Sequence, residues 1–375
     1  MPIQISAAVQ RVPNGPPKIE TLTLEEPRAG EVRVAIAAVG ICHTDMVMRD
    51  QLLPVPQPVV LGHEGAGIIE ALGEGVTGLS VGDHVVLSFA SCGHCPSCDD
   101  HSPAYCHSWF PLNFGGMRAD GSTALTDAAG EVVHSHVFGQ SAFATHAVVP
   151  ANNAIKVDTD LSLDILGPLG CGIQTGAGAV LKALQVRANS SIAVIGAGAV
   201  GMSAIMAAAN IANAAIVVAI DINAGRVAIS RQFGATHGFD PAEGSYVELA
   251  AKAGCPVGFD YIIDTTGLTE LCNQAALALA PRGEIALVGA YVPGTQLSID
   301  STFLMSGGRV IRGVVEGSAD PAKFILELIG HYRQGRFPFD QLIQTFDFAD
   351  IVAAIQAGET GKVIKPVVRM KPHSV

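Results

Sequence analysis

The sequence predicts an α/β protein in which a β-rich, barrel-like part is joined to a doubly wound parallel sheet. Residues 1–150 contain short β-like runs between turn residues, for example EVRVAIAAVG, PVVLGHEGAGIIEALG and GDHVVLSFA, and this pattern is typical of an all-β unit. From about residue 171, continuous apolar runs alternate with helical stretches. Such alternation indicates a parallel sheet that is covered by helices on both faces.

The elements after residue 171 follow a regular order. A helical pattern over 172–184 precedes an apolar strand at 192–195, and a glycine-rich turn then opens an alanine-rich helix. Further buried strands are predicted at IVVAID (216–221), FDYIIDTTG (259–267) and EIALVGA (284–290). The order ends with two helical stretches and a strand-like run, at 321–334, 348–357 and 363–370.

Length and charge restrict the class of protein. A chain of 375 residues is long enough for two or three domains of about 100–200 residues each. Lys and Arg number 22 against 34 Asp and Glu, so the formal net charge is −12. This acidic balance, without a basic stretch, argues against a nucleic-acid partner.

The stretch 188–220 carries no charged residue, so a membrane span has to be considered there. It is interrupted by Gly196, Gly198, Gly201, Asn210 and Asn213. We therefore interpret it as strand, turn, helix and second strand, with no membrane partner. The first residues show no basic start followed by an apolar run, so no secretion signal is expected. Cytoplasmic localisation is the expectation that follows.

Four of the eight cysteines lie within fifteen residues, at Cys92, Cys95, Cys98 and Cys106. Two successive C-x-x-C steps and a fourth cysteine can surround one tetrahedral ion, and four thiolates leave no open position. The expected role is a structural zinc site. A four-cysteine iron–sulfur cluster and free surface thiols are the alternatives. The neighbouring histidines are interpreted as bystanders, namely His94, His101 and His107.

A second set of possible metal ligands is spread along the chain. Cys42, His63 and Cys171 occur in GICHTD, GHEGAG and GCG. Two thiolates and one imidazole form a zinc set that leaves one position open for substrate. Asp45 and Glu64 fit around this set, because one carboxylate could accept the ring N–H of His63 and the other could lie behind the metal. Glu64 is counted with the catalytic metal site.

GAGAVG at 196–201 follows an apolar strand, and Asp221 stands twenty residues further on at the end of another strand. This is the context that a dinucleotide-binding turn requires. The three glycines let the backbone approach a pyrophosphate, whose charge the helix N-terminus attracts. Asp221 can accept hydrogen bonds from a ribose and would repel a 2′-phosphate, which favours NAD over NADP by about 10- to 100-fold. Arg226 could bind a ribose edge, a phosphate or only water.

Together these motifs resemble those of the zinc-containing medium-chain alcohol dehydrogenases. Within that family the chain looks most like the aryl-alcohol (benzyl alcohol) dehydrogenases, through VVLSFASCGHCPSC, PAYC and LNFGG. The resemblance implies a GroES-like catalytic domain, split into 1–172 and 314–375, and a Rossmann NAD-binding domain at 173–313. It also implies two zinc ions per chain, one catalytic and one structural. The expected assembly is a homo-oligomer, dimer or tetramer, formed through edge strands of the coenzyme domain.

The resemblance also implies roles for single residues. Thr44 would accept a hydrogen bond from the substrate alcohol and pass its proton onward, and His43 would face the coenzyme pyrophosphate. Val288 to Ala290 would lie along the nicotinamide, and the remaining coenzyme contacts would come from Val200 and Lys365. The substrate pocket would be lined by Phe89, Val137, Phe138 and Val315.

The expected reaction follows from the zinc ligands. Zinc can lower the pKa of bound water from about 16 to about 7, and a comparable effect on an alcohol would favour loss of its proton. Hydride would then pass to C4 of the nicotinamide and leave an aldehyde. Val47 stands where many relatives carry His, so the proton would leave through ribose hydroxyls, water or another side chain. A phenylalanine-lined pocket favours a benzylic or other hydrophobic primary alcohol.

Three alternatives remain. A glutathione-dependent formaldehyde dehydrogenase of the same family would need a basic residue at the pocket mouth, and Arg118 is the only arginine between the four cysteines and residue 186. The second alternative is an aliphatic alcohol dehydrogenase, and the third is a non-catalytic binding protein on the same scaffold. Trp109 and Phe110 follow the cysteines and could form the lip of the pocket or plain surface.

Overall fold

The computed structural model describes residues 1–370 and divides them into two units. The first unit contains Met1–Cys171, Asp320–Leu326 and the described chain from Asp340 onward. The second unit contains Gly172–Ala319 and Glu327–Phe339.

The strands and helices follow the chain in this order. The strands are β1 (Ile3–Gln10), β2 (Lys18–Leu24), β3 (Glu31–Gly40), β4 (Val59–Val60), β5 (Gly65–Leu72), β6 (His84–Leu87), β7 (Leu125–Thr126), β8 (Val132–Val133), β9 (His146–Pro150), β10 (Ala154–Val157), β11 (Ser191–Ile195), β12 (Ile216–Ile220), β13 (His237–Phe239), β14 (Phe259–Asp264), β15 (Leu279–Leu287), β16 (Val310–Gly313), β17 (Ile343–Asp347) and β18 (Lys365–Arg369). The helices are α1 (His43–Arg49), α2 (Pro96–Asp99), α3 (Trp109–Phe114), α4 (Leu163–Leu166), α5 (Gly172–Gly178), α6 (Ala199–Asn210), α7 (Ala224–Gln232), α8 (Tyr246–Lys252), α9 (Thr269–Ala276), α10 (Ser301–Gly307), α11 (Pro321–Arg333) and α12 (Ile351–Glu359).

The first unit is β-rich and is built from two sheets. One has the strand order β4-β1-β2-β7-β8, and the other has the order β10-β6-β5-β3-β18-β17 with β9 paired to β3. β3 coincides with the predicted run EVRVAIAAVG, and its residues are buried or half-buried throughout. Because it pairs with β5, β9 and β18, it brings distant segments of the chain together at its end.

The second unit contains a parallel sheet in the order β13-β12-β11-β14-β15-β16. The apolar runs of β11, β12 and β14 are almost fully buried, as expected for strands covered on both faces. In the register of this sheet, Ile195 lies opposite Asp264, and Asp264 lies opposite Leu287. The loops that follow these three strands therefore meet at one edge of the sheet.

The structure returns to the first unit later than residue 314, the boundary that the sequence predicts. The N–H of Val314 donates to the carbonyl of Leu287 and so prolongs the pairing of β16. Gln174 of α5 donates to the Glu316 carboxylate over 3.1 Å. These contacts hold 314–319 in the second unit, and residues 327–339 also belong to it.

The uncharged stretch 188–220 forms β11, α6 and β12, in the order predicted from its glycines and asparagines. Across residues 1–370, no helix has both the length and the apolar character needed to cross a membrane.

Candidate active site

Three predicted metal ligands come together in the first unit. Cys42 precedes α1, His63 lies between β4 and β5, and Cys171 precedes α5. Their ligand atoms all lie within 4.8 Å of one another. The pairing of β3 with β5 explains part of this arrangement, since the N–H of Gly40 donates to the Glu64 carbonyl over 3.0 Å.

Asp45 fixes the geometry of two of these ligands. Its buried carboxylate lies 2.9 Å from Nδ1 of His63 and accepts the backbone N–H groups of Cys42 and Gly62 at 3.0 and 3.1 Å. A hydrogen bond at Nδ1 leaves Nε2 as the ligand atom. Nε2 of His63 is buried and has no hydrogen-bond partner among the described residues.

This donor set fits zinc. Two thiols and one imidazole supply three ligands and leave a fourth position for substrate. Burial lowers the pKa of His63, but the Asp45 carboxylate outweighs it and raises the pKa well above its ordinary value, so an ion that binds Nε2 must displace a proton. The pKa of Cys42 lies well below its ordinary value, chiefly through its hydrogen bond with Cys171, so its thiolate is favoured.

Glu64 and Lys365 form a buried ion pair beside the ligands. The Lys365 ammonium donates to both Glu64 oxygens at 2.8 and 2.9 Å and to the Ile41 carbonyl at 3.1 Å. Burial lowers the pKa of Lys365, but the Glu64 carboxylate outweighs this and the net pKa is raised. Lys365 therefore remains charged, and it neutralises a carboxylate next to the metal ligands. The predicted contact of Lys365 with the coenzyme remains a prediction.

A cluster of aromatic rings begins at the His63 imidazole. Phe138 stacks on it with ring centroids 4.5 Å apart, and Phe114 meets Phe138 edge-on at 5.1 Å. Trp109 lies edge-on to both Phe89 and Phe138, at 5.2 and 6.1 Å. We call these four residues, Phe89, Trp109, Phe114 and Phe138, the aromatic wall.

The other predicted substrate residues differ in exposure. Val137 is fully buried, whereas Val315 is 36% exposed and belongs to the second unit. Trp109 and Phe110, for which the sequence left two possibilities, behave differently: Trp109 is half-buried within the aromatic wall, and Phe110 is 65% exposed.

Thr44 and His43 occupy the first turn of α1. The Thr44 hydroxyl lies 3.7 Å from Sγ of Cys42, so it is adjacent to the metal ligands. The His43 side chain is exposed.

The four clustered cysteines form a second site in the first unit. Sγ–Sγ distances are 3.5 Å for Cys95–Cys98, 3.9 Å for Cys92–Cys98 and 4.0 Å for Cys95–Cys106. Four thiolates at about 2.3 Å from a tetrahedral zinc would be separated by about 3.8 Å. The spacing therefore fits a structural zinc ion.

Backbone N–H groups point at these sulfurs. The N–H of His107 donates to Cys95, and those of Cys92 and Ser108 donate to Cys106, over 3.3 to 3.4 Å. The first of these hydrogen bonds is the main cause that lowers the pKa of Cys95 to about 6. Burial raises the pKa of Cys106 to about 12, and a bound cation would favour its thiolate.

The glycine-rich turn lies at the carboxyl edge of the parallel sheet. Gly196 has φ +89, and a Cβ on Gly201 would lie 1.8 Å from the Gly196 carbonyl oxygen. A Cβ on Gly198 would meet no atom within 4 Å. The turn therefore leaves open space at Gly198, in front of α6, where a pyrophosphate fits.

Asp221 follows β12 and is bonded to this turn. Its carboxylate accepts the N–H of Ala197 at 2.6 Å and that of Asn223 at 2.8 Å. Arg226 lies one helical turn beyond, and its buried Nε has no hydrogen-bond partner among the described residues. Val200 is half-buried in the first turn of α6.

The segment 288–290 reaches the same edge. The N–H groups of Val288 and Gly289 donate to the Asp264 carbonyl at 2.9 and 3.1 Å. Val288 is half-buried and Ala290 is exposed. The structure thus brings the glycine-rich turn and Val288 to Ala290 to one end of the sheet.

Two features of the site had no signal that sequence reasoning recognised. The pairing of Glu64 with Lys365 joins residues 301 positions apart, and it depends on the antiparallel pairing of β18 with β3. Gln140 contacts the ligand segment through its buried amide. Its position in FGQSAFA, two residues after a predicted pocket phenylalanine, could have drawn attention to it.

Comparisons with known proteins point to one family. The family model described as Alcohol dehydrogenase GroES-like domain matches residues 28–159, and the model described as Zinc-binding dehydrogenase matches residues 199–330. A geraniol dehydrogenase of Castellaniella defragrans is 46% identical over 367 residues, which cover 97% of each chain.

Two solved structures have the same fold over nearly the whole chain. The benzyl alcohol dehydrogenase of Acinetobacter calcoaceticus is 44% identical with a TM-score of 0.94, covering 98% of this chain and 100% of that one. An alcohol dehydrogenase zinc-binding domain protein of Burkholderia ambifaria is 48% identical with a TM-score of 0.96, covering 99% and 100%.

The chain belongs to the zinc-dependent medium-chain alcohol dehydrogenase family. The predicted α/β fold, a GroES-like part with a Rossmann-like parallel sheet, is thereby confirmed. Membership makes the protein an alcohol dehydrogenase that uses zinc and a nicotinamide coenzyme.

Proposed function

We propose that the protein oxidises a primary aryl alcohol, of the benzylic type, reversibly to the aldehyde and transfers the hydride to NAD. The observation that carries this proposal is the aromatic wall, which begins with Phe138 stacked on the ligand His63. Aromatic rings prefer offset or edge-on contacts with other rings. A planar aryl substrate with its alcohol carbon near the metal would make such contacts.

The residues around the metal have distinct tasks in this proposal. Zinc held by Cys42, His63 and Cys171 would supply the Lewis acidity that favours loss of the alcohol proton. Thr44, whose hydroxyl is adjacent to Cys42, would accept that proton and pass it to ribose hydroxyls or water, since Val47 offers no acceptor. Asp45 keeps the His63 ring oriented through Nδ1.

NAD is the proposed coenzyme. The Asp221 carboxylate is held in place by two backbone N–H groups, so it cannot easily turn away from a ligand. A 2′-phosphate at the adenosine ribose would meet this fixed negative charge, whereas ribose hydroxyls could donate to it. The glycine-rich turn supports pyrophosphate binding, and Val288 to Ala290 would contact the nicotinamide.

An allylic alcohol such as geraniol is a second candidate, favoured by the 46% identity to a geraniol dehydrogenase. Benzylic and allylic alcohols share one property, because both give an aldehyde conjugated with a π system. The same apolar wall could accept either.

The glutathione alternative loses the support of Arg118. Arg118 is only 9% exposed, and its guanidinium donates to the Glu31 carboxylate at 2.7 and 3.1 Å and to Glu25 at 3.0 Å. An arginine engaged in this way is not available to bind an anionic substrate at a pocket mouth.

Steady-state kinetics with protein that holds two zinc ions per chain tests the proposal. Benzyl alcohol, geraniol, hexanol, ethanol and S-hydroxymethylglutathione are compared with NAD, and the rise of NADH absorbance is followed. We expect kcat/KM for benzyl alcohol to exceed that for ethanol at least about tenfold, equivalent to about 1.4 kcal/mol of transition-state stabilisation. A tenfold preference for geraniol over benzyl alcohol would replace the aryl assignment with the allylic one. Equal values for ethanol and benzyl alcohol would contradict both.

A homo-oligomer and a cytoplasmic location complete the proposal. β16 is the last strand of the parallel sheet, and Val310 on it and Met305 on the preceding α10 are 37% and 78% exposed. A second copy pairing with this edge would cover them. None of the eight cysteines forms a disulfide in the structure, which suits a reducing compartment.

A further inference from the structure

The segment 136–141 carries Phe138 against the His63 ring in an unusual backbone conformation. Three of its side-chain-bearing residues have positive φ, namely His136 at 63, Phe138 at 51 and Ser141 at 53. Residues other than glycine rarely adopt this region, and they keep it only where surrounding contacts impose it. The contacts of this segment with its surroundings should therefore explain its conformation.

Gln140 makes the contacts that tie this segment to the metal ligands. Its side chain is 1% exposed. Its amide oxygen accepts the N–H of Gly65 at 3.1 Å, and its amide nitrogen donates to the carbonyls of His63 and Ser88 at 2.9 and 3.2 Å. The residues on both sides of Glu64 are thus bonded to one amide.

Through Ser88, the same amide is linked to the segment that carries Cys171. The Ser88 hydroxyl donates to the Gly170 carbonyl at 2.7 Å, and Gly170 immediately precedes Cys171. A Cβ on Gly170 would lie 2.0 Å from the Leu87 carbonyl oxygen, so this segment is packed tightly against β6. Gln140 is therefore bonded directly to the His63 segment, and only through Ser88 to the segment that carries Cys171.

We propose that Gln140 is a positioning residue of the catalytic metal site. It holds the His63 and Cys171 segments at the spacing that one ion needs, and it holds Phe138 on the His63 ring. It touches neither the metal nor the substrate. This role rests on the assignment of the three-ligand metal site and does not depend on which alcohol is oxidised.

The physical reason is hydrogen-bond satisfaction at a buried site. Replacing Gln140 with methionine keeps the volume but removes the amide that pairs with the Gly65 N–H and the His63 carbonyl. The Ser88 carbonyl keeps its hydrogen bond from Asn153 at 3.2 Å. An N–H or carbonyl group that loses its partner is costly when buried, so the segments would shift to find other partners. Mutation of a residue that holds a metal ligand in place typically lowers metal affinity or activity by about 10- to 100-fold.

Asn113 provides a matched control. It is fully buried, and its amide also makes three backbone hydrogen bonds, to the N–H and carbonyl of Ala90 and to the carbonyl of Trp109, at 2.8 to 3.0 Å. None of these bonds goes to a segment that carries a catalytic metal ligand. Asn113→Leu should therefore cost stability without changing the geometry of the three-ligand site.

The experiment uses the full chain with both zinc ions bound, and Gln140→Met is compared with Asn113→Leu. Zinc transfer to a chromophoric chelator gives one release rate for each of the two ions. Replacement of the catalytic zinc by Co²⁺ gives a visible spectrum that reports the ligand geometry. We expect Gln140→Met to speed release of the zinc held by Cys42, His63 and Cys171 about tenfold and to shift the Co²⁺ bands. Asn113→Leu should change neither the release of that zinc nor the Co²⁺ bands.

The proposal would be overturned if Gln140→Met released the catalytic zinc at the rate of the unchanged protein and gave the same Co²⁺ spectrum. This holds whatever the thermal stability of the variant. Should Gln140→Met fail to fold, Gln140→Glu takes its place, because it keeps the acceptor for Gly65 and loses the donor to His63. Neither readout uses an alcohol, so a failed substrate assignment and a failed role for Gln140 remain distinguishable.

Discussion

Two buried aspartates, one in each unit, set the chemistry of the two ligand sites. Asp45 orients the His63 ring through Nδ1. Asp221 holds its carboxylate at the glycine-rich turn through the N–H of Ala197. Both are fixed by backbone N–H groups, so their charges stay in one place when a ligand binds.

The coenzyme preference is tested at Asp221. Asp221→Asn removes the negative charge and keeps an oxygen that can accept a backbone N–H. We expect the ratio of kcat/KM for NADP to that for NAD to rise about tenfold, because loss of one charge-assisted hydrogen bond to ribose costs about 1.5–3 kcal/mol. The measurement is steady-state kinetics with each coenzyme at a saturating alcohol concentration.

Asp260→Asn is the control for this change. Asp260 lies in the same sheet and also accepts a backbone N–H, that of Ser191 at 2.8 Å, but near the amino ends of the strands. In Asp260→Asn, the ratio of kcat/KM for NADP to that for NAD should equal the ratio in the unchanged protein. An unaltered ratio in Asp221→Asn would remove Asp221 from the explanation of coenzyme choice.

Much of the site at this scale could be predicted from sequence. The two cysteines and the histidine occur in recognisable motifs, and Asp45 is three residues from Cys42, within one turn of α1. The partner of Glu64 could not be derived in that way. It depends on which strand lies beside β3, and Lys365 reaches Glu64 only because Val367 pairs with Gly40.

At the scale of single elements, β3 joins the metal site to an ion-pair cluster at its other end. Glu31 begins the strand and accepts two hydrogen bonds from Arg118, and Nε2 of His136 lies 3.7 Å from it. Burial alone would raise the pKa of Glu31, but the nearby His136 ring and the hydrogen bonds from Arg118 outweigh it and lower the pKa to about 2.

This lowered pKa gives a pH-dependent contribution to stability. The folded protein binds the Glu31 proton more weakly than the unfolded chain does, so the contribution is complete above the ordinary pKa of 4.5 and declines as the pH falls toward about 2. Glu31→Gln should destabilise the protein by about 3 kcal/mol at pH 7, because Arg118 loses its buried partner. The thermal midpoint of both proteins, followed by circular dichroism, measures the difference.

The difference between Glu31→Gln and the unchanged protein should shrink to about half by pH 3. Glu70→Gln is the control, since Glu70 is exposed and its nitrogen contacts, Arg33 and His146, lie at 3.5 and 3.3 Å. Glu70→Gln should lower the free energy of unfolding by less than about 1 kcal/mol at either pH. A constant difference between pH 7 and pH 3 for Glu31→Gln would contradict the assigned ion pair.

Strands were easier to predict than the segments between them. The run EVRVAIAAVG becomes β3 without change, because alternating burial leaves one possible register. The conformation of 136–141 was not predicted, because Phe138 and Ser141 belong to residue types without a preference for positive φ that could reveal it. Tertiary contacts, including those of Gln140, impose it.

At the scale of the whole molecule, the fold types of the two parts were predicted correctly from the sequence. The sequence places the return to the first unit at 314, whereas in the structure residues 314–319 belong to the second unit. The turn at 316–318 has positive φ at all three residues, and Gly317 lies against Gly178 of α5, where a Cβ would be 2.8 Å from the Gly178 Cα. Periodicity cannot show that a short turn packs against a helix 139 residues earlier.

The proposed oligomer is tested at the same scale. Light scattering coupled to size exclusion should give the mass of two or four chains. Val310→Lys places a charge on the exposed edge strand β16 and should shift the protein toward single chains. Val257→Lys, at a position that is 73% exposed elsewhere in the second unit, should leave the mass unchanged. A single-chain mass for the unchanged protein would refute the proposal.

The Glu64–Lys365 pair also orders events during synthesis of the chain. The four-cysteine cluster has all of its ligands once residue 106 has been made, and the three-ligand site has its own once residue 171 has been made. The carboxylate beside that second site, however, waits for Lys365 on β18. In a growing polypeptide, therefore, the four clustered cysteines all precede the second unit, whereas the Glu64–Lys365 pair can form only after that unit has been translated.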